Sequence, residues 1–173
     1  MLGKLLLPVH TKNAIRKSTL QVSPGYSDAD QIGIIFKYLN DEHYEKVLSF
    51  IRQIQIDKKV VTTLAFFPKK EATSQYRIPR YSTDNLSVWG KLTSEEIDLF
   101  LTRNFDFLIN LDTESHEFVD NILSRANAKC KIGHFMVERK DFYQLMIHID
   151  PSTDFEVFLD KIYFYIKKLR ANA

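Results

Sequence analysis

Two carboxylates stand where apolar, strand-like runs give way to helix-like ones. Asp41 follows residues 31–37 (QIGIIFK), and Asp112 follows residues 105–111 (FDFLINL). In an open α/β sheet, ligands bind outside the carboxyl ends of the strands. At such an end Asp112 could act as a base or hold a sugar hydroxyl, with Ser115 as a donor and Lys37 orienting the ligand. Asp41 is the second candidate base. The competing reading is structural. Asn40, Asp41, Asp112, Thr113 and Ser115 are N-cap residue types, each worth about 1 kcal/mol at a helix start. The turn after the first run, Lys37-Tyr38-Leu39-Asn40-Asp41-Glu42, contains no glycine. A pyrophosphate needs exposed backbone N–H groups and a close approach that glycine allows. No G-x-G-x-x-G and no G-x-x-x-x-G-K-[ST] occurs in the chain, so nucleotide chemistry of the usual kind is not expected.

The remaining reactive side chains form no recognisable constellation. His10, His43, His116, His134 and His148 lack the i, i+4 pairing with Glu that builds a zinc site on a helix. His148 and Asp150 could share a strand face, as could any two surface residues so spaced. G-x-S-x-G is absent, so no serine nucleophile is indicated. Cys130 sits between Lys129 and Lys131, but alternation points it away from both, which makes it a packing residue. No metal and no cofactor is expected.

These groups must be positioned by an alternating series of elements. After the turn signal Ser23-Pro24-Gly25 come a strand at 31–37, a helix at 41–55 and a strand at 59–67, stopped by Pro68. Residues 68–84 read as a loop and 86–89 as a short strand. A capping box at 93–96 (TSEE) opens a helix, followed by a strand at 105–111 and a helix at 115–125. Strands at 129–135 and 142–149 have a short connection and are expected to form a hairpin or an antiparallel edge. A second capping box at 153–156 (TDFE) opens the last helix, ending at Leu169. Strands alternating with helices predict a three-layer Rossmann-like α/β domain with a mostly parallel, right-handed sheet.

At 173 residues, with 45% hydrophobic and 27% charged content, the chain is expected to form one folded domain. Its net charge of +2 does not demand a nucleic-acid partner. The charge is uneven, however. Residues 1–27 carry Lys4, Lys12, Arg16 and Lys17 and no acid, which predicts a basic N-terminal arm ahead of a domain at 28–173. That arm is either a solvated leader or a contact for RNA or another acidic partner through Lys12, Arg16 and Lys17. A single cysteine fits a reducing compartment, the start does not read as a secretory signal, and no apolar stretch is long enough to span a membrane. A cytoplasmic location is expected. On the last helix Phe155, Phe158, Leu159, Ile162, Ile166 and Leu169 form the inward stripe. Val157 and Phe164 fall opposite, flanked by Lys161 and Lys168. They are isolated exposed residues, or they are covered by the arm, a second copy or a partner protein.

Several stretches resemble a family of uncharacterised bacterial proteins. They are 32–34 (IGI), 86–91 (LSVWGK), 104–111 (NFDFLINL), 124–133 (SRANAKCKIG) and 143–147 (YQLMI). This likeness runs from about residue 28 and implies no activity. More distantly, the strand FDFLINLD, the following helix and the A-x-x-K-I-G pattern resemble the N-terminal half of lipopolysaccharide heptosyltransferase-like enzymes. In that family a Gly-Asp follows the first strand and its Asp activates the acceptor hydroxyl. Asp41 is the matching position, with Asn40 in place of the glycine. The half that resembles these enzymes would not by itself contain the nucleotide-sugar domain. The expectation is a non-catalytic binding or interaction module, with a small-ligand site or enzyme at the Asp41/Asp112 rim as the alternative.

Overall fold

Alternation along β1 (Gln31–Lys37) sends Ile32, Ile34 and Phe36 into one apolar cluster and Ile35 into another. A strand buried on both faces must sit centrally in a sheet covered on both sides. The computed structural model describes residues 2–17, 24–68 and 78–170 and has this form. β1 is followed by β2 (Val60–Phe66), β3 (Arg80–Tyr81), β4 (Asn104–Asn110), β5 (Asn127–His134) and β6 (Leu145–Ile147). The sheet order is β3-β2-β1-β4-β5-β6, and every neighbouring pair is parallel.

Two helices cover the Phe36 face. α2 (Asp41–Ile56) buries Tyr44, Val47, Phe50, Ile51 and Ile54, and α5 (Phe155–Lys168) buries Phe158, Leu159, Ile162 and Ile166. Cys130 packs in this cluster. The opposite face is covered by α3 (Glu95–Leu101), through Ile97 and Phe100, and by α4 (Glu117–Arg125), through Phe118, Val119, Ile122 and Leu123. The fold is three-layered and Rossmann-like.

Several local expectations are corrected. β6 pairs parallel with β5 and forms neither a hairpin nor an antiparallel edge with it. Residues 135–144, with a 3₁₀ turn at Val137–Phe142, carry the chain back far enough for a parallel return. Gly133 makes this crossover fit: a Cβ there would come within 2.4 Å of the Tyr143 ring. A two-residue strand, β3, lies inside the stretch read as a loop, whose residues 69–77 lie outside the described residues. Residues 86–89 form a turn closed by a Leu86–Leu92 bridge, not a strand. The caps of α3 and α5 are Ser94 and Asp154, accepting from Ile97 N–H and Glu156 N–H, one residue later than expected.

The N-terminal segment is not a solvated leader. Residues Leu2–Lys17 form α1, which packs on α4. Leu7 is fully buried, Thr11 Oγ accepts from Asn121 Nδ2 at 3.1 Å, and Lys4 lies 3.9 Å from Glu117. Lys12 is exposed. The side chains of Arg16 and Lys17, and residues 18–23, lie outside the described residues. Because α1 and α5 cover opposite faces of the sheet, α1 does not cover Phe164.

Candidate functional site

The strand order reverses direction between β1 and β4, which splay their following helices to opposite faces and open a crevice at their carboxyl ends. A cavity of 290 Å³ lies there. Lys37 comes to it from β1, His43 from the first turn of α2, and Asp112, Glu114, Ser115 and His116 from the segment after β4. Leu39, Leu111, Ile149 and Phe155 supply apolar wall.

Asp112 is the centre of this arrangement. β4 keeps its pairing with β1 as far as Leu111, whose N–H reaches Ile35 O at 3.0 Å. The chain then turns so that Asp112 Oδ1 accepts Lys37 N–H at 2.7 Å, which ties the two strand ends together. Asn110 fixes the turn by accepting Asp112 N–H at 3.0 Å, and is itself held by donating to Tyr143 Oη at 2.8 Å. The other oxygen, Asp112 Oδ2, is buried and has no hydrogen-bond partner among the described residues. Burial raises the Asp112 pKa to about 7, against the opposing pull of the Lys37 N–H bond and the Arg139 charge. The neutral form of this carboxyl therefore persists well above the ordinary carboxylate range.

Asp112 and Ser115 do not cap α4. His116 occupies that position, and its side chain makes no capping bond. Ser115 Oγ instead donates to Asp120 Oδ2 at 2.8 Å. Asp120 pairs with Arg139, a fully buried residue from the β5–β6 crossover that also reaches Glu114 O at 3.4 Å. The floor under residues 112–116 is thus a network running from α4 to the crossover. Asn40 does cap α2, accepting His43 N–H at 2.8 Å. Asp41 is exposed, accepts from Tyr38 Oη at 2.6 Å and lies outside the crevice lining.

Two imidazoles flank the crevice. The His43 ring lies 4.3 Å from Phe155, and burial, then the Lys46 charge, lower its pKa to about 4. The His116 ring lies 4.4 Å from Phe66, and burial, then Lys37, lower its pKa too. Burial disfavours the charged form of both rings, and each has a buried Nδ1 without a hydrogen-bond partner among the described residues. Sequence reasoning did not single out these histidines. Their signal was position, one three residues after the Asn40 cap and the other inside the segment after β4. Arg139 and Asn110 carried no local signal.

The other expected residues lie elsewhere. Val157 and Phe164 point outward from α5 at 43% and 57% exposure, with Tyr165 beside them at 47%. Lys168 stands over the Phe164 ring at 5.2 Å. His148 lies against Phe135, and Cys130 is buried. Among the described residues no group of His, Cys, Asp and Glu is arranged to hold a metal, and no helix is long and apolar enough to cross a membrane.

Fold and site together define a parallel α/β domain with the dinucleotide-type strand order, whose switch-point crevice is built from side chains where that class commonly uses glycine-rich backbone. The chain belongs to the family described as "Family of unknown function (DUF6913)", whose model matches residues 7–169. That match begins within α1, which joins this segment to the rest of the family's domain. No curated protein matches the chain. Among solved structures it is similar to an exopolyphosphatase-related protein from Bacteroides fragilis, with a TM-score of 0.53 and 15% identity. The match covers 92% of this chain and 44% of that one, so this chain spans less than half of that protein's length. Likeness at this identity concerns the fold alone.

Proposed function

We propose that the crevice at the ends of β1 and β4 binds a small organic molecule, and that Asp112 recognises a hydroxyl or amino group on it. The observation that carries this reading is Asp112, which lines the crevice at the switch point of the sheet and whose Oδ2 has no hydrogen-bond partner among the described residues. Leaving such a group unpaired costs free energy that a ligand donor would offset. The apolar wall of Leu39, Leu111, Ile149 and Phe155 suits the body of the ligand. A carboxyl titrating near neutrality also suits proton exchange with that donor. Asp41 takes no part in this reading, including the role that the heptosyltransferase resemblance implies for it. A polyphosphate, suggested by the description of the Bacteroides protein, suits the crevice poorly. Asp112 and Glu114 both line it, and Lys37 is the only lysine or arginine among its described lining residues.

A library of small alcohols, phenols and amines, screened by two-dimensional NMR, tests the reading. Binders should shift the amides of Lys37, residues 112–116 and Ile149, and Asp112→Leu should abolish the response while the rest of the spectrum is retained. Binders that ignore Asp112→Leu, or a library without binders, would overturn it.

An interaction function for α5 is favoured by a separate observation, the adjoining exposure of Val157, Phe164 and Tyr165. Phe164→Glu should then change the sedimentation coefficient or partner capture without unfolding the domain. An unchanged profile and partner set would remove this reading. For an RNA contact through α1, affinity should fall steeply with salt, and salt-independent binding would refute it.

A further inference from the structure

A second cavity, of 560 Å³, opens between α1, residues 90–93 and the C-terminal end of α4. His10, Lys91 and Arg125 line it with the amides of Asn13 and Asn121, and its described lining contains no carboxylate. Arg125 is the fixed point. Its Nη1 donates to Leu92 O at 2.8 Å and to Asn121 Oδ1 at 3.3 Å. The Asn121 amide is oriented in turn by donating to Thr11 Oγ at 3.1 Å. One edge of the guanidinium is thereby locked to protein. Arg125 is an exposed residue, and its Nε and Nη2 groups meet no acceptor among the described residues. His10 is held at the rim, its Nε2 3.2 Å from Trp89 O. Lys91 is exposed, and its ammonium makes no hydrogen bond among the described residues.

A guanidinium locked on one edge and open on the other is arranged to take an oxyanion through paired hydrogen bonds. Groups from three separate segments surround the same space, which suits a tetrahedral, multiply charged anion better than a planar carboxylate. The volume leaves room for an organic body beside it. We infer that this cleft binds a small molecule through a phosphate group, held by Arg125 with Lys91 and His10 at the rim. The site is distinct from the Asp112 crevice and does not depend on the reading given for it.

The test is a two-dimensional NMR titration of the full chain with inorganic phosphate. Sodium chloride at matched ionic strength and sodium acetate serve as the comparison arms. Phosphate should give saturable shifts at His10, Gly90, Lys91, Asn121 and Arg125. Lys91→Glu, at an exposed position, should keep the fold and weaken binding about tenfold or more. Arg125→Gln should do the same where its spectrum shows a folded protein. No saturable shift at millimolar phosphate, a response reproduced by chloride, or an affinity unaffected by Lys91→Glu would each overturn the inference. Acetate binding as tightly as phosphate would overturn the phosphate assignment, and shifts confined to the Asp112 crevice would overturn the location.

Discussion

Asp112 couples the candidate site to stability, and the sign of the coupling can be worked out. Its folded pKa is about 7 against an ordinary value of 3.8. Between those values the folded protein holds a proton that the unfolded chain has lost, so stability falls as pH rises through that window and levels off above it. A shift of this size corresponds to at most about 4 kcal/mol. Asp112→Asn keeps an acceptor for Lys37 N–H and removes the ionisation. We expect the variant to be more stable than the parent by about 2 kcal/mol at pH 8 and about equal to it at pH 4. His43 acts in the opposite sense. Its pKa is lowered from 6.5 to about 4, so its contribution makes stability rise over that interval. It is present in both proteins and cancels in the difference. Urea denaturation of the pair at both pH values makes the measurement. An Asn variant no more stable at pH 8 would show that the carboxylate is well solvated and needs no ligand donor.

Among the elements, α5 bears most directly on the crevice, because Phe155 at its first turn forms part of the wall and packs on His43. Its other end is held by Asp57, at the C-cap of α2. Asp57 accepts from Tyr26 Oη and Tyr163 Oη at 2.8 Å each and from Lys167 at 3.2 Å. Burial pushes the Asp57 pKa up, but these donors outweigh it and hold the carboxyl below its ordinary value. The clamp's contribution to stability is therefore full above the ordinary aspartate range and is lost as pH falls through the lower pKa of the folded carboxyl. Asp57→Ala should cost about 2 kcal/mol at neutral pH. Amide exchange should quicken in α5 while α4 stays protected, and equal quickening in both helices would contradict the clamp. The clamp was not legible in the sequence, because Tyr26, Asp57 and Tyr163 meet only after both helices have packed. The strands and helices themselves were legible, because buried strands of β-branched residues and apolar residues at helical spacing are local patterns. The direction of β6 was not. A short connection suggests a hairpin, and no local pattern shows that Tyr143 will fill the space left by Gly133.

At the scale of the whole molecule, the crevice exists because of strand order, which no single segment of sequence contains. Asp112 was legible as a residue at a strand end. Its burial and unpartnered oxygen depend on β1 and β4 being neighbours and on Arg139 arriving from a distant crossover. The basic segment at the start of the chain was legible as charge but not as structure, because Pro8 and scattered lysines conceal a helix with one buried stripe. That stripe is the means of testing whether α1 belongs to the fold. Leu7 is 0% exposed, in the cluster that contains Phe118 and Ile122, whereas Leu5 on the same helix is 73% exposed. If α1 is docked in solution, Leu7→Ala should lower the free energy of unfolding by about 2–4 kcal/mol. Leu5→Ala should stay within about 0.5 kcal/mol of the parent. Equal and negligible effects in denaturant titrations would mean a detached arm. The cleft against Arg125 would then lose the wall that carries His10 and Asn13, so the same pair of variants also tests whether that cleft is formed in solution.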